Sequence, residues 1–156
     1  MTIPLVLAFA IGVIAGLRSL TAPAAVCWAA RVGWIDLRQS PLAFMDSLIA
    51  ASIFGLLAIG ELITDKLPFT PSRLSPGPLG GRILLGGLSG AAVASANSPG
   101  VIAGALVGAL GGLVGAYGGY HARVGAVKSF RLPDFVVALI EDAVAIVGAL
   151  FILSKV

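Results

Sequence analysis

The stretch that decides the fold is PGVIAGALVGALGGLVGAYGGY, residues 99–120, which contains no charged side chain. A helix needs about 20 mainly apolar residues to cross the hydrocarbon core of a membrane, and this run is long enough. Glycine recurs at every fourth position from Gly100 to Gly112. Small residues at that spacing let membrane helices approach closely. The stretch therefore predicts a membrane-spanning helix with one closely packed face.

The composition of the whole chain also indicates a membrane protein. Of its 156 residues, 58% are hydrophobic and 11% are charged, and the mean hydropathy is +1.06. A soluble domain carries about 25% charged residues, so this chain could not cover its surface in water. The net charge of +3 is small. We therefore expect the lipid bilayer, and no nucleic acid, as its partner.

Outward from residues 99–120, four more segments have the length and apolar character of membrane helices. They lie at about residues 3–30, 41–64, 78–96 and 133–153. Pro41, Pro99 and Pro133 stand where helices should begin, and proline is tolerated there because its missing N–H has no helical partner. The sequence thus predicts an all-α, polytopic transmembrane bundle of about five spans in one domain, residues 1–156.

The basic residues of the loops predict the orientation of the chain. The apolar N-terminal segment lacks the basic start and cleavage site of a signal peptide, so it is taken as the first span. With five spans, one side holds Arg31, Arg38 and Lys155. The other side holds Lys66, Arg73, Arg82, Arg123, Lys128 and Arg131. Lysine and arginine accumulate on the cytoplasmic side, which predicts a cytoplasmic N-terminus and a C-terminus outside.

Two parts of the chain are similar at an offset of 92 residues. The sequence ARVG occurs at residues 30–33 and again at residues 122–125, and Pro41 matches Pro133. One span separates the two parts, so the second would start on the opposite side of the membrane. This pattern predicts an inverted repeat, as in many transporters. Its parts are repeat A at about 3–65, a linking span at about 78–96 and repeat B at about 99–154. Chance similarity between segments rich in glycine and alanine is the alternative.

The glycine rows predict where helices touch. The positions expected in helix contacts are Gly12, Gly16, Gly104, Gly108, Gly112 and Gly115. Such contacts could close the bundle or join copies in a homo-oligomer, of which a dimer is favoured. A glycine-lined pore is the alternative.

Ionisable side chains inside membrane helices are costly and are therefore candidates for function. Arg18 lies about 22 Å along the first predicted helix. Asp46 lies at a similar depth in the second, so the two could pair. Ser19, Thr21 and the helix-breaking Pro23 follow Arg18 in sequence. Broken helices are where transporters bind ions. A purely structural ion pair, and hydroxyls that only satisfy freed carbonyls, are the alternatives.

A second set of candidates is acidic. Glu61 and Asp65 lie four residues apart on one helix face, and Glu141 and Asp142 lie about two turns into the last span. His121 lies at a similar level in the five-span arrangement. Carboxylates and a histidine inside a bundle suit cation or proton handling. Solvation at the membrane surface is the alternative for Asp65 and His121.

Sequence patterns typical of enzymes are missing. Gly-x-Ser-x-Gly is absent, and the glycine runs do not follow a strand, as a dinucleotide-binding loop requires. One histidine cannot build a conventional catalytic zinc site. Cys27, the only cysteine, excludes an intrachain disulfide and a cysteine-only zinc site. We expect no metal, no cofactor and no enzymatic activity.

Three stretches are distinctive together: GLRSLTAPAAVCWAARVGW at residues 16–34, GELITDKLPFTPSRLSPGPLGGR at residues 60–82, and the glycine-rich fourth predicted helix. They resemble the small bacterial membrane proteins of domain-of-unknown-function family 4126, over nearly the whole chain. The resemblance implies only a multi-pass membrane protein, which we expect in the inner membrane of a bacterium. It carries no settled activity.

Three functions are compatible with these features. The first is a small transporter or channel for an ion or small charged solute, based on the inverted repeat and the intramembrane charges. The second is a non-catalytic, glycine-packed scaffold or a subunit of a larger membrane complex. The third is a membrane enzyme that acts on lipid head groups near Arg73 and Arg82. A water-accessible cavity reaching Arg18, Glu61 or Glu141 would favour transport, and a closed bundle would favour the scaffold.

Overall fold

Six α-helices and one 3-10 helix form the protein in the computed structural model, which describes residues 3–66, 72–97, 100–130 and 133–156. The helices are α1 (Ile3–Leu17), α2 (Thr21–Arg31), α3 (Leu48–Thr64), α4 (Pro76–Asn97), α5 (Val101–Phe130) and α6 (Asp134–Leu153), with the 3-10 helix Ala43–Asp46 before α3. These residues contain no strand. The prediction of an all-α bundle is confirmed.

Three of these helices, α4, α5 and α6, are long and apolar enough to cross a membrane. Helices α1 and α3 are apolar but shorter, with 15 and 17 residues. Large apolar side chains point outward, among them Leu84, Ile102 and Val147, which are 65–77% exposed. Such a surface suits lipid and not water. The chain is therefore a helical membrane protein.

The first predicted span, residues 3–30, is two helices and not one. Helix α1 ends at Leu17 and α2 begins at Thr21, so the break falls just before the position suggested by Pro23. Pro23 instead lies in the first turn of α2, where its missing N–H removes no helical hydrogen bond. The described residues consequently contain six α-helices, one more than the five helices that the sequence predicts.

Helix α2 turns back beside α1. Its buried side chains belong to one apolar core with Ala92 and Val93 of α4 and with Ile152 and Leu153 of α6. Arg82 of α4 and Asp142 of α6 form ion pairs near the break. The core residues of α4 and α6 come later in those two helices and therefore lie away from the break. Helices α1 and α2 therefore form a hairpin whose tip is the break.

Close glycine contacts define how α1, α4 and α5 pack. A Cβ atom added at Gly16 would lie 2.5 Å from the Ala116 nitrogen, and one added at Gly108 would lie 2.8 Å from the Gly90 Cα atom. Real Cβ atoms essentially never approach other atoms within 3.0 Å, so these helices need glycine to pack as they do. The six glycines predicted for helix contacts all face another helix of the same chain: Gly12, Gly16, Gly104, Gly108, Gly112 and Gly115.

The directions of the helices follow from these contacts and from the ion pairs. Gly12 faces Gly108 and Gly16 faces Gly112, so α1 and α5 run parallel. Helices α1, α3 and α5 run toward Arg18, whereas α2, α4 and α6 run away from it. Residue Ile3 and the end of α6 consequently lie toward the same end of the bundle. The five-span prediction places the two ends of the chain on opposite sides of the membrane, whereas these helix directions place Ile3 and Leu153 toward the same end of the bundle.

The predicted inverted repeat is not supported by these directions. The offset of 92 residues matches Gly12 of α1 with Gly104 of α5, and an inverted repeat would make those helices antiparallel. They are parallel, whereas α3 and α6, which the same offset matches, run in opposite directions. No single axis therefore relates repeat A to repeat B.

Candidate functional site

The candidate site is the break between α1 and α2, where two helix ends lie inside the bundle. The last carbonyl groups of a helix and the first N–H groups of the next have no partner within the helices. Arg82 of α4 donates from Nη1 to the carbonyl oxygens of Gly16 and Leu17, at 3.0 and 2.8 Å. A cation suits the partial negative charge at a helix C-terminus. A buried arginine therefore satisfies the end of α1.

The start of α2 is satisfied by a carboxylate from α3. Glu61 Oε1 accepts hydrogen bonds from the backbone N–H and from Oγ of Ser19, at 2.8 and 2.6 Å. Glu61 Oε2 accepts from the Leu20 N–H at 2.8 Å. The carboxylate thus lies where an anion binds at a helix N-terminus. Arg82 Nη2 is 3.9 Å from Glu61 Oε1, so the two capping groups also attract each other.

Arg18 lies at the break itself and is completely buried. Its Nη1 donates a hydrogen bond to Oδ2 of Asp65, which follows α3. Its Nη2 lies 2.5 Å from Asp142 Oδ1 on α6; neither atom has the geometry of a hydrogen bond there, so the contact is an ion pair only. Arg18 consequently holds α3 and α6 against the tip of the hairpin.

Two further ion pairs lie beside Arg18. Lys66 Nζ is 2.6 Å from Asp142 Oδ2. Arg73, just before α4, donates to Glu141 from both terminal nitrogens, with Nη2 at 2.8 Å from Oε2. Gly119 of α5 makes room for this pair, because a Cβ atom there would lie 2.8 Å from Arg73 Nη1. The segment between α3 and α4 is therefore bound to α6 at both of its described ends.

The network continues to the surface through Arg123 of α5. Arg123 lies 3.6 Å from Glu141 Oε2 and 2.6 Å from Asp134 Oδ2, by different nitrogens. Side-chain exposure rises along this path, from 0% at Arg18 through 9% at Glu141 and 19% at Arg123 to 64% at Asp134. These ion pairs form a second group, which reaches one surface of the bundle and meets the group around Arg18 through the neighbouring residues Glu141 and Asp142 of α6.

The network is electrically balanced, and its unused groups are mainly donors. Five carboxylates face five cations: Glu61, Asp65, Asp134, Glu141 and Asp142 against Arg18, Lys66, Arg73, Arg82 and Arg123. Apart from the Arg18–Asp142 ion pair, the buried side-chain atoms without a hydrogen bond in the described residues are two guanidinium nitrogens and two hydroxyls. They are Nε of Arg18, Nε of Arg82, Oγ1 of Thr21 and Oγ of Ser89. The site therefore offers N–H and O–H groups, and its carboxylates are engaged.

The structure brings together most of the side chains proposed for ion or substrate binding. Arg18, Ser19, Glu61, Asp65, Glu141 and Asp142 contribute to one network, and Thr21 begins α2 beside it. In the described residues, Glu61 shares no cation with Glu141 or Asp142. It is bound instead by the start of α2.

Two proposed residues lie elsewhere. Asp46 lies before α3 at the other end of the bundle, where Arg38 Nε is 3.7 Å from its Oδ2, so the predicted Arg18–Asp46 pair is wrong. The reason is the hairpin, which places the start of α3 at the end opposite Arg18. His121 is exposed, and its ring meets that of Tyr120 edge-on at 5.4 Å between centroids.

The pairing of the cations with the acids is the part of the site that the sequence did not predict. Lys66, Arg82 and Arg123 contribute to the predicted orientation, and Arg82 also to a possible lipid head-group site, yet each forms an ion pair with an acid of the network. The acidic residues could have indicated that cations lie nearby, because carboxylates buried in a membrane protein require positively charged partners. Among the described residues, no group of three His, Cys, Asp or Glu side chains is arranged to hold a metal ion.

Comparison with protein families gives one match. The family model described as "Domain of unknown function (DUF4126)" matches residues 5–154, and the chain therefore belongs to that family. The resemblance seen in its sequence motifs is confirmed. No curated protein and no solved structure matches the chain. Its function is consequently argued from the site.

Proposed function

We propose that this member of the DUF4126 family moves a small anion across the membrane and binds it at the break between α1 and α2. The observation that supports this is the position of the Glu61 carboxylate, held by three donors of Ser19 and Leu20. In transporters with broken helices, the N-terminus of a half-helix points at the anionic part of the substrate. In this protein a side chain of its own occupies that position.

The depth of the break suits transport. Arg18 lies fifteen residues after Ile3, or about 22 Å at 1.5 Å per residue, within a hydrocarbon core about 30 Å thick. On one side of the break, the ion pairs extend to exposed Asp134. On the other side, Ser89 of α4 holds a hydroxyl without a partner in a mostly apolar core. An anion at the break would therefore have polar groups on both sides.

An anion fits this site better than the cation or proton expected from the acidic residues. Asp65 and Asp142 bind Arg18, and Glu141 binds Arg73. Freeing Glu141 for a cation would leave the buried guanidinium of Arg73 uncompensated, which is strongly destabilising. Freeing Asp65 or Asp142 would leave Arg18 with one carboxylate partner instead of two. Exchange of the Glu61 carboxylate for a free anion keeps the same charge at the start of α2.

Flux measured in liposomes tests the proposal. Purified protein is reconstituted, and a potassium gradient with valinomycin drives anion movement from a panel of chloride, nitrate, formate, acetate and phosphate. We expect saturable flux of at least one anion above that of empty liposomes. Glu61→Gln should keep or increase it, because a neutral amide competes less well for the site. Absence of flux for every anion would overturn the proposal.

A single lost donor should also change the flux. Ser19→Ala, made in the Glu61→Gln background so that no internal carboxylate loses the same hydrogen bond, removes the Oγ donor and leaves both backbone donors. A hydrogen bond to a charged group is worth about 1.5–3 kcal/mol, so anion affinity should fall about tenfold or more. Ser95→Ala is the matched control, because the Ser95 hydroxyl donates to the Ala92 carbonyl of its own helix. Equal effects of the two changes would count against the break as the site.

A second candidate function is a non-catalytic membrane scaffold or a subunit of a larger complex. Its support is the closed state of the network: Arg18 is fully buried, and the side chains of Glu61, Asp65, Glu141 and Asp142 are 8–15% exposed. In that case the ion pairs only hold helices together. A wild-type protein without flux, combined with a large loss of stability in Arg18→Ala, would support the scaffold.

A further inference from the structure

We infer that the anion bound at the break is a small monocarboxylate, for which the Glu61 side chain is a built-in substitute. This rests on the proposed function and names its substrate class. The donors around Glu61 bind its two carboxylate oxygens separately: the Ser19 N–H and Oγ donate hydrogen bonds to Oε1, and the Leu20 N–H donates one to Oε2. A halide is a single atom and cannot occupy both positions. A carboxylate has two oxygens on one carbon and can.

Groups beyond the helix N-terminus also point to a ligand at this place. The Arg82 side chain is 6% exposed, its Nη2 approaches Glu61 Oε1 at 3.9 Å, and its Nε has no hydrogen-bond partner. Thr21, the first residue of α2, is 7% exposed and its Oγ1 has no partner either. Neither of these two buried donors binds Glu61, although Arg82 Nη2 and the N–H of Leu20, the residue before Thr21, both approach its carboxylate. A free carboxylate that settles deeper or in another orientation could use them.

The length of the Glu61 side chain sets the expected size of the ligand. Glu61→Ala removes Cγ, Cδ and both oxygens and leaves the backbone donors in place. Acetate has the same heavy atoms as the removed group, so it should fill the space. Formate lacks the methyl carbon and should bind more weakly, because an unfilled apolar space loses packing contacts. Chloride should have little effect beyond that of ionic strength.

Thermal unfolding of the purified variant in detergent tests this inference without any transport. We expect acetate to raise the unfolding temperature of Glu61→Ala saturably, by about 5 °C or more at a hundred times its Kd. Formate should do less, and chloride at the same ionic strength should do little. Wild-type protein and Glu61→Gln are the matched controls, because acetate must first displace their own side chain and should therefore raise their unfolding temperature much less than that of Glu61→Ala.

The outcomes separate this inference from the proposed function. Acetate that stabilises Glu61→Ala no better than chloride would overturn the inference. A variant that stays unfolded even in acetate would also overturn it, since the bound carboxylate should restore the missing contacts. Rescue by acetate together with a wild-type protein that moves no anion would keep the carboxylate site and reject transport. Anion flux without rescue would do the reverse.

Discussion

Replacing Arg18 with alanine should be among the most destabilising single changes in this protein. Its guanidinium is fully buried and forms ion pairs with Asp65 and Asp142. Removing one partner of a buried ion pair costs about 3–5 kcal/mol, because the remaining charge is left uncompensated. Here Lys66 still lies 2.6 Å from Asp142, and Arg82 lies 4.0 Å from Asp65. We therefore expect the lower end of that range, about 3 kcal/mol.

A double-mutant cycle measures this interaction. Equilibrium unfolding in mixed micelles, followed by the fluorescence of Trp28 and Trp34, gives the free energy of unfolding of each variant. Asp142→Asn should recover part of the loss in Arg18→Ala, with a coupling energy of about 0.5–3 kcal/mol. Asp46→Asn is the control, because Asp46 faces Arg38, whose side chain is 79% exposed. Its effect should add to that of Arg18→Ala within about 0.5 kcal/mol.

Two results would refute this reasoning. Coupling of Arg18 to Asp46 and not to Asp142 would mean that α1 and α2 continue as one span, as the sequence alone suggested. A loss in Arg18→Ala below about 1 kcal/mol would mean that water reaches the guanidinium, since exposed ion pairs contribute about that much or less.

Two further predictions concern packing and topology. Gly108→Leu should destabilise the bundle by about 3 kcal/mol or more in the same unfolding assay, because the leucine side chain would meet the backbone of α4. Gly118→Leu is the control and should be nearly neutral, because a Cβ atom added at Gly118 has no neighbour within 4 Å. In a Cys27→Ala background, a cysteine fused before Met1 should label from the same side as Ser154→Cys, and Ser72→Cys should label from the other, cytoplasmic side. Labelling of the fused cysteine and Ser72→Cys from one side would restore the five-span arrangement.

The membrane bundle could be predicted because its signals are local. A charge-free run such as residues 99–120 has few alternatives to a membrane helix. Arg18, Glu61 and Glu141 could be singled out for the same reason, since their cost inside a membrane is visible in the sequence. Glycines at every fourth residue likewise indicated close packing, and Gly108 does lie against the backbones of α1 and α4.

The direction of α2 and the pairing of the charges could not be predicted, because both depend on distant residues. Pro23 is compatible with a kink inside one long helix and with the first turn of a new one. The new helix is favoured by Glu61, which lies forty-one residues after Leu20 and whose carboxylate accepts hydrogen bonds from the N–H groups at the start of α2. Because α2 turns back, Asp46 lies at the far end of the bundle, and Asp65 lies beside Arg18 instead.

The break and the buried charges depend on each other, and this dependence bears on mechanism. Unsatisfied N–H and C=O groups cost several kcal/mol each in a membrane interior, so a broken helix needs partners such as Glu61 and Arg82. Those charges would be equally costly alone, and they lie 3.9 Å apart. Glu61 can therefore leave the start of α2 at low cost only if another anion replaces it. A closed network in which every charge has an opposite partner is what we expect of an anion site at rest, in which the incoming anion displaces the internal carboxylate. Displacement requires the Glu61 side chain to move to a new position near Arg82 or Lys66. Water can help to solvate the displaced carboxylate at the exposed end of the network, toward Arg123 and Asp134.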